Sequence, residues 1–179
     1  MDVLVLVGSL RADSSNRRLA DAAIAELPEG VHARVSSWPA LLPHYDQDLD
    51  VDTALESVAA FRAEIAASDA LILATPEFNG SLPSVLKNAI DWASRPRGAS
   101  SIAGKPVAVL GASASPNAAR WAREDALRVL RVAGAEPLED TVGIASSLDA
   151  FAEDGLRDAD LARQVREVLA QLVDRPQAA

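Results

Sequence analysis

The chain has 179 residues, a length typical of one domain, and its 49% hydrophobic and 24% charged residues are ordinary for a globular protein. Its net charge of -9 opposes binding to nucleic acid or anionic membranes, and the absence of cysteine excludes disulfides, thiolate nucleophiles, iron–sulfur clusters and thiolate zinc sites. Two histidines make no obvious metal cluster, and without a 20-residue apolar span or a secretory signal pattern we expect one cytoplasmic domain over residues 1–179.

The first half of the chain predicts an alternation of strands and helices. The apolar run 3–7 predicts a buried strand, and helical spacing follows over 16–26. The alternating run 31–35 predicts a half-buried strand near a sheet edge. A Pro-rich stretch over 38–52 is expected to form a flap near the site, and the next predicted helix covers 53–67.

The second half continues the alternation with a buried strand at 70–74, a helix at 83–93 and a strand at 107–110. The remaining predicted elements are a helix at about 118–132, a strand within Glu136–Ile144 and a helix over Ala159–Val173. Five strands alternating with five helices predict an α/β fold in which a doubly wound parallel sheet carries helices on both faces. Ligands of such sheets bind at the carboxyl ends of strands, so the loops after the first, third and fourth strands are the candidate site.

The loop after the first strand, "VGSLRADSSNRR", carries the chemistry of an anion site. Gly8 allows a sharp turn, and Arg11 offers a charged, forked donor for phosphate oxygens. Hydroxyl and amide groups surround the following helix N-terminus, at Ser9, Ser14, Ser15 and Asn16. The spacing is neither Gly-x-Gly-x-x-Gly nor the Walker pattern, which favours a terminal monophosphate. A plain helix cap with solvated arginines remains the alternative.

The loop after the third strand, "TPEFNGSLPSVLKNAIDWAS", predicts an irregular path. Its prolines and its Asn-Gly pair leave backbone groups unpaired by the sheet and free to face a ligand, as the edge of a planar heteroaromatic ring requires. Phe78 is a candidate to flank the ring face. The alternative is a simple strand-to-helix connection with Phe78 in the core.

These motifs resemble the NADPH-dependent FMN reductase family, whose members include quinone, azo-dye and chromate reductases. The resemblance rests on "GSLRxxSxN", on "PEFNGSLPSVLKNAIDW" and on "LPHYDQDL" at 42–49. It implies a flavodoxin-like five-stranded sheet in the order 2-1-3-4-5. It also implies an NADPH-dependent enzyme that passes two electrons through FMN to quinones, azo compounds, free flavin or metal oxyanions.

The family's site residues carry over position by position. The resemblance assigns the FMN phosphate to Ser9, Arg11, Ser14, Asn16 and the backbone around Ser15. It assigns the flavin ring to Pro76, Glu77, Phe78, Asn79, Gly80 and Ser81. It also implies that the loop containing Gly111 and Ser113 closes the other side of the flavin. Two departures are visible: Phe78 replaces the more usual tyrosine, and "ASASPNAAR" lacks a glycine pair common in the third loop.

Other residues carry weaker expectations. Arg95 and Arg97 are candidates for the 2′-phosphate of NADPH, whereas His32 and His44 are expected to lie outside the site. Because so short a chain can hardly enclose a flavin pocket, we expect a homodimer or homotetramer, with the helix that carries Trp92 in the subunit contact.

A flavodoxin-type electron carrier without NAD(P)H turnover is the rival function. The acidic composition suits it, but Arg11 argues against it because flavodoxins usually hold the phosphate with neutral donors. A flavin-free protein that has kept the fold is a third possibility, and the physiological acceptor is not identified by the sequence.

Overall fold

The computed structural model of the chain describes residues 1–51, 55–153 and 155–175. Five parallel strands form its main sheet: β1 (Asp2–Val7), β2 (His32–Val35), β3 (Ala70–Thr75), β4 (Pro106–Ala112) and β5 (Glu136–Ile144). The α-helices are α1 (Ser15–Ala25), α2 (Glu56–Ala66), α3 (Ser84–Ala93), α4 (Arg120–Ala133) and α5 (Ala159–Val173). Short 3₁₀ turns lie at Trp38–Ala40 and Gln47–Leu49, and a small antiparallel hairpin is formed by β6 (Phe151–Ala152) and β7 (Gly155–Leu156).

The strand order is β2-β1-β3-β4-β5, which confirms the predicted topology. Strands β3 and β4 are buried at every position, as expected for apolar strands covered on both faces. Alternate side chains enter two cores: α1 and α5 cover one face of the sheet, and α2, α3 and α4 cover the other. In the part of the chain that the structure describes, no helix combines the length and the apolar character needed to cross a membrane.

The strand order reverses at β1, so a crevice opens where β1 and β3 end. At this point the Gly8 N–H donates to the Ala74 carbonyl at 2.9 Å. A Cβ on Gly8 would lie 2.7 Å from Leu86 Cδ1 and 2.8 Å from Pro83 Cγ, which is closer than packed atoms tolerate. Glycine is therefore required here for the first loop to cross the start of α3.

Several boundaries differ from the predictions. Strand β4 runs two residues beyond residue 110, and the β6–β7 hairpin was not predicted. The predicted start of the second helix at Thr53 lies outside the described residues, as do residue 52 of the flap and residues 176–179 of the proposed domain. The described flap is held to α3, because Asn88 accepts from the Tyr45 N–H at 2.7 Å and donates to the Pro43 carbonyl at 2.8 Å.

Candidate functional site

A cavity of about 190 Å³ lies at the carboxyl ends of β1, β3 and β4 and is open to solvent on one side. Of the predicted site residues, it is lined by Ser9, Arg11, Ser14, Ser15, Asn16, Pro76, Glu77, Phe78 and Ser113. Ala112 and Ala114 of the predicted third loop line it too, and the sequence interpretation missed Ser147 and Leu148, which complete the wall. The three predicted loops therefore do meet, and a fourth segment after β5 joins them.

The first loop ends at a helix N-terminus suited to an anion. Ser14 is the N-cap of α1, and its hydroxyl oxygen accepts from the Arg17 N–H at 3.3 Å. The hydroxyl proton of Ser14 remains available to donate. The first turn of α1 contains no acidic residue, so nothing in it offsets the positive end of the helix dipole. The exposed Arg11 adds a full charge to this end of the cavity.

Asn16 has a different role from the predicted one. Its side chain is only 3% exposed; Nδ2 donates to the Ala112 carbonyl at 2.9 Å, and Oδ1 accepts from the Ala112 N–H at 2.9 Å. These two hydrogen bonds link α1 to the end of β4, and we reassign the side chain mainly to that structural role. A contact of the second N–H of Nδ2 with the phosphate stays a prediction, because Asn16 also lines the cavity.

The second loop is irregular except for a tight hairpin turn at residues 78–81, which a single β-bridge closes. Phe78 and Ser81 exchange two backbone hydrogen bonds of 3.2 Å, and the Asn79–Gly80 pair between them has φ angles of 52° and 74°. Positive φ at both positions, filled by Asn-Gly, is the signature of a type I′ turn. Phe78 is 57% exposed at the cavity rim, so the alternative that placed it in the core is wrong.

The tip of this hairpin contacts α4 instead of lining the cavity. Gly80 and Ser81 line a neighbouring open groove beside Trp121, and the Ser81 hydroxyl donates to the Asp125 carboxylate at 2.5 Å. Burial alone would raise the pKa of Asp125, but hydrogen bonds from Ser81, Arg128 and the Leu82 N–H hold that pKa below its usual value. Ser81 and Gly80 are thus shown anchoring the hairpin, outside the cavity where the flavin ring was expected.

The Glu77 side chain also reaches α4. Its carboxylate accepts from the Trp121 N–H at 2.8 Å and the Ala122 N–H at 3.2 Å, in the first turn of that helix. The Asn117 amide donates to the same carboxylate at 3.1 and 3.2 Å. Glu77 lines the cavity, and these hydrogen bonds direct its carboxylate towards α4.

Gly111 does not belong to the third loop. It lies inside β4, and a Cβ there would approach Ala119 Cβ and Arg123 Cγ at 3.0 Å each. The glycine therefore allows α4 to pack closely on β4, and its assignment to the cofactor is corrected. Ser113 does reach the cavity, where its N–H donates to the Ile144 carbonyl and its carbonyl accepts from the Ser147 N–H, each at 3.0 Å.

The predicted roles of the arginines after α3 and of Trp92 are not supported. Arg95 and Arg97 line a separate groove between α3 and α4, past the end of α3 that lies away from the cavity. Trp92 is fully buried and donates its indole N–H to the Pro43 carbonyl at 2.9 Å, so it is a core residue, and a subunit contact through α3 would use other residues of that helix. His32 and His44 are exposed and lie outside the cavity, as expected.

Comparison with known proteins places this geometry in context. A family model described as NADPH-dependent FMN reductase matches residues 1–149. An NAD(P)H-dependent FMN reductase of Pseudomonas aeruginosa is 38% identical over 91% of this chain and 88% of its own length. A 2-hydroxy-1,4-benzoquinone reductase of Burkholderia sp is 46% identical over 63% of this chain, and that match spans 61% of the relative's length.

One solved structure is similar over almost the whole chain. FerB, a flavoenzyme NAD(P)H:(acceptor) oxidoreductase from Paracoccus denitrificans, has a TM-score of 0.87 and 34% identity, covering 97% of this chain and 95% of its own.

Proposed function

The chain belongs to the NADPH-dependent FMN reductase family, and we propose that it is an NAD(P)H-dependent oxidoreductase that binds FMN in the cavity at the ends of β1, β3 and β4. The feature that supports this most directly is the anion-binding end of the proposed site. There the N-terminus of α1, the Ser14 hydroxyl and the Arg11 guanidinium border the same cavity.

The residues present fit FMN at both ends. Gly8 brings the first loop close against α3, and the loop's spacing suits one terminal phosphate rather than a pyrophosphate, so we propose FMN in preference to FAD. At the other end, the backbone of residues 76–78 and of residues 113–114 forms two walls that can receive a planar ring.

Local charge explains how an acidic protein attracts anionic ligands. Among the residues that line the cavity in the described chain, Arg11 is the one base and Glu77 the one acid. The Glu77 carboxylate is bound by the amide and helix N–H groups that donate to it, so Arg11 and the positive end of α1 are left to attract an anion although the chain carries a net charge of -9.

When bound, FMN supplies the redox chemistry: it accepts a hydride from the reduced nicotinamide and passes two electrons to an acceptor. The chain's contribution is to bind the phosphate, orient the ring and offer backbone dipoles at its edge. In this proposal no side chain acts as a nucleophile or metal ligand. Binding and orientation are the functions to be tested by mutation.

We propose quinone-like compounds as the principal acceptors. The rim of the cavity carries the exposed side chains of Phe78 and Leu148, which suit a flat apolar molecule. Azo compounds, free flavin and metal oxyanions are further acceptors that such an open rim would admit. The names of two relatives, a 2-hydroxy-1,4-benzoquinone reductase and a quinone reductase of Pseudomonas putida, support the quinone class.

We also propose a cytoplasmic homodimer or homotetramer. Leu10 and Trp121 are 66% and 56% exposed beside the cavity, and together with Phe78 and Leu148 they form an apolar rim that a second subunit would cover. Light scattering at micromolar concentration should give a mass of at least twice that of one chain. A monomer with full activity would refute this part of the proposal.

The decisive experiment is spectroscopic. The purified protein, titrated with FMN and FAD in a calorimeter, should bind FMN more tightly and show the visible absorbance of an oxidised flavin. Anaerobic mixing with NADPH should bleach that absorbance, and a benzoquinone should restore it. Failure to bind FMN would overturn the proposal, and binding without bleaching by NADPH or NADH would favour an electron carrier.

A further inference from the structure

Glu77 connects two of the loops that line the cavity. It lies in the lining segment formed by residues 76–78, while its carboxylate reaches the segment between β4 and the first turn of α4. There it accepts hydrogen bonds from the Asn117 amide and from the N–H groups of Trp121 and Ala122. One side chain therefore ties the second loop to the segment that continues the third loop.

Helix α4, whose first turn Glu77 reaches, has no side-chain cap of its own. Ala119 occupies the N-cap position of α4 and offers no side-chain acceptor, and the first turn contains no acidic residue. The first N–H groups of a helix need an acceptor from elsewhere, and a carboxylate is favoured there by the helix dipole. Glu77 supplies that acceptor from a position 44 residues away.

The loop before α4 is strained and needs to be held. Ala118 and Ala119 have φ angles of 52° and 54°, a left-handed conformation that costs a non-glycine residue about 1 kcal/mol or more each. Arg123 holds the far end of this loop: its Nε donates to the Ala118 carbonyl at 3.1 Å, and its guanidinium also donates to Thr141. Glu77 holds the same loop through Asn117, the residue that precedes Ala118.

We propose that Glu77 is a positioning residue, whose carboxylate holds the loop between β4 and α4 and thereby sets the separation between the cavity-lining residues 76–78 and 113–114. The planar ring of the cofactor would lie between these two segments, so this inference rests on the proposed binding of FMN. The phosphate end of the site belongs to the first loop, which Glu77 does not touch through its side chain. Its loss should weaken ring binding and leave phosphate recognition intact.

Two conservative substitutions separate the effect of side-chain length from the effect of charge. Glu77→Gln keeps the length of the side chain and an oxygen acceptor for the helix N–H groups, and the Asn117 amide can rotate to pair with the new NH₂ group. Glu77→Asp keeps the charge but is one methylene shorter. A spacer role predicts that Gln preserves the site better than Asp, whereas a purely electrostatic cap predicts the reverse.

The test titrates the full-length, flavin-free protein with FMN and with riboflavin, which lacks the phosphate. We expect Glu77→Ala and Glu77→Asp to weaken both flavins by the same factor, about tenfold or more, and to change the visible circular dichroism of the bound ring. Glu77→Gln should stay within about threefold of the wild type. Arg11→Ala should weaken FMN alone, and Glu124→Gln, which removes an exposed carboxylate from α4, should leave both affinities unchanged.

Thermal unfolding of each flavin-free variant distinguishes positioning from simple stability. The proposal is overturned if Glu77→Ala lowers the unfolding temperature without changing ring affinity, if it weakens FMN alone, or if Asp preserves the site better than Gln. If the alanine variant does not fold, the comparison of Gln with Asp decides. If the wild type binds neither flavin, the proposed function fails and this inference fails with it; flavin binding that is insensitive to Glu77 refutes this inference alone.

Discussion

Replacing Asn16 by alanine tests whether its buried amide is a structural link or a ligand. The side chain joins α1 to β4 across 96 residues of sequence through two hydrogen bonds of 2.9 Å to Ala112. Ala112 is itself 2% exposed, so Asn16→Ala would leave a buried N–H and a buried carbonyl without their partner.

The expected loss of stability follows from these two groups. A buried polar group left unpaired costs about 1–3 kcal/mol, so two such groups, partly relieved by entering water, should lower the free energy of unfolding by about 3 kcal/mol. For a domain of this size, 1 kcal/mol corresponds to about 2–4 °C. Asn16→Ala should therefore lower the unfolding temperature of the flavin-free protein by about 6–12 °C.

Circular dichroism melts of the flavin-free protein and FMN titrations provide the assay. Asn88→Ala is the matched control, because Asn88, half-buried in α3, also accepts one and donates one hydrogen bond to backbone groups, those of Tyr45 and Pro43 in the flap. Asn88→Ala should lower the free energy of unfolding by less, about 1–2 kcal/mol, because water reaches the backbone groups that it leaves without a partner. If Asn16→Ala melts within about 2 °C of the wild type but binds FMN poorly, the side chain is a phosphate ligand and our reassignment is wrong.

Three further predictions concern single residues. Arg11→Ala should weaken FMN binding by about 10- to 150-fold with riboflavin binding unchanged, and Arg11→Lys should fall between, in calorimetric titrations; equal FMN affinity would remove Arg11 from the site. Gly143→Ala places a Cβ 2.6 Å from the Ala118 carbonyl oxygen and should destabilise the protein by about 1–3 kcal/mol in urea unfolding, whereas an unchanged midpoint would contradict the close contact. The lowered pKa of Asp125 stabilises the fold at every pH above its unfolded-state pKa of about 4. The stability advantage of the wild type over Asp125→Asn should therefore be complete at neutral pH and disappear as the pH falls below about 4. A constant difference in stability across an acid titration would refute this prediction.

The sheet was predictable because its strands are short apolar runs between turn-forming residues. The error at the end of β4 has a simple cause: Gly111 and Ala112 are small residues that read as a loop, yet a glycine is needed there to let α4 approach. The segment that covers Trp92 was also outside the reach of the sequence. The Trp92 indole is covered by the flap, and nothing local to α3 indicates which segment will lie over it.

The candidate site was predictable in its loops but not in the roles of single side chains. Ser14 and Arg11 lie in the cavity because they follow a buried strand and begin a helix, and both facts are visible in the sequence. Glu77 could not be recognised as a cap for α4, because its partners are about 44 residues away and are backbone N–H groups that no motif specifies. Ser147 was missed for the same reason: only the register of β5 beside β4 brings it next to Ser113.

Polar links between distant segments help to hold the cavity walls. Asn16 fixes α1 to β4, Glu77 fixes the second loop to α4, and the Ser147 N–H donates to the Ser113 carbonyl just past the ends of β4 and β5. Each link leaves the cavity surface polar while it restrains the loop that carries it. Loops restrained in this way need little further ordering when a ligand binds, so more of the contact free energy appears as affinity. The same design makes single polar substitutions at the walls costly, because each removes a link between two segments rather than one contact to the ligand.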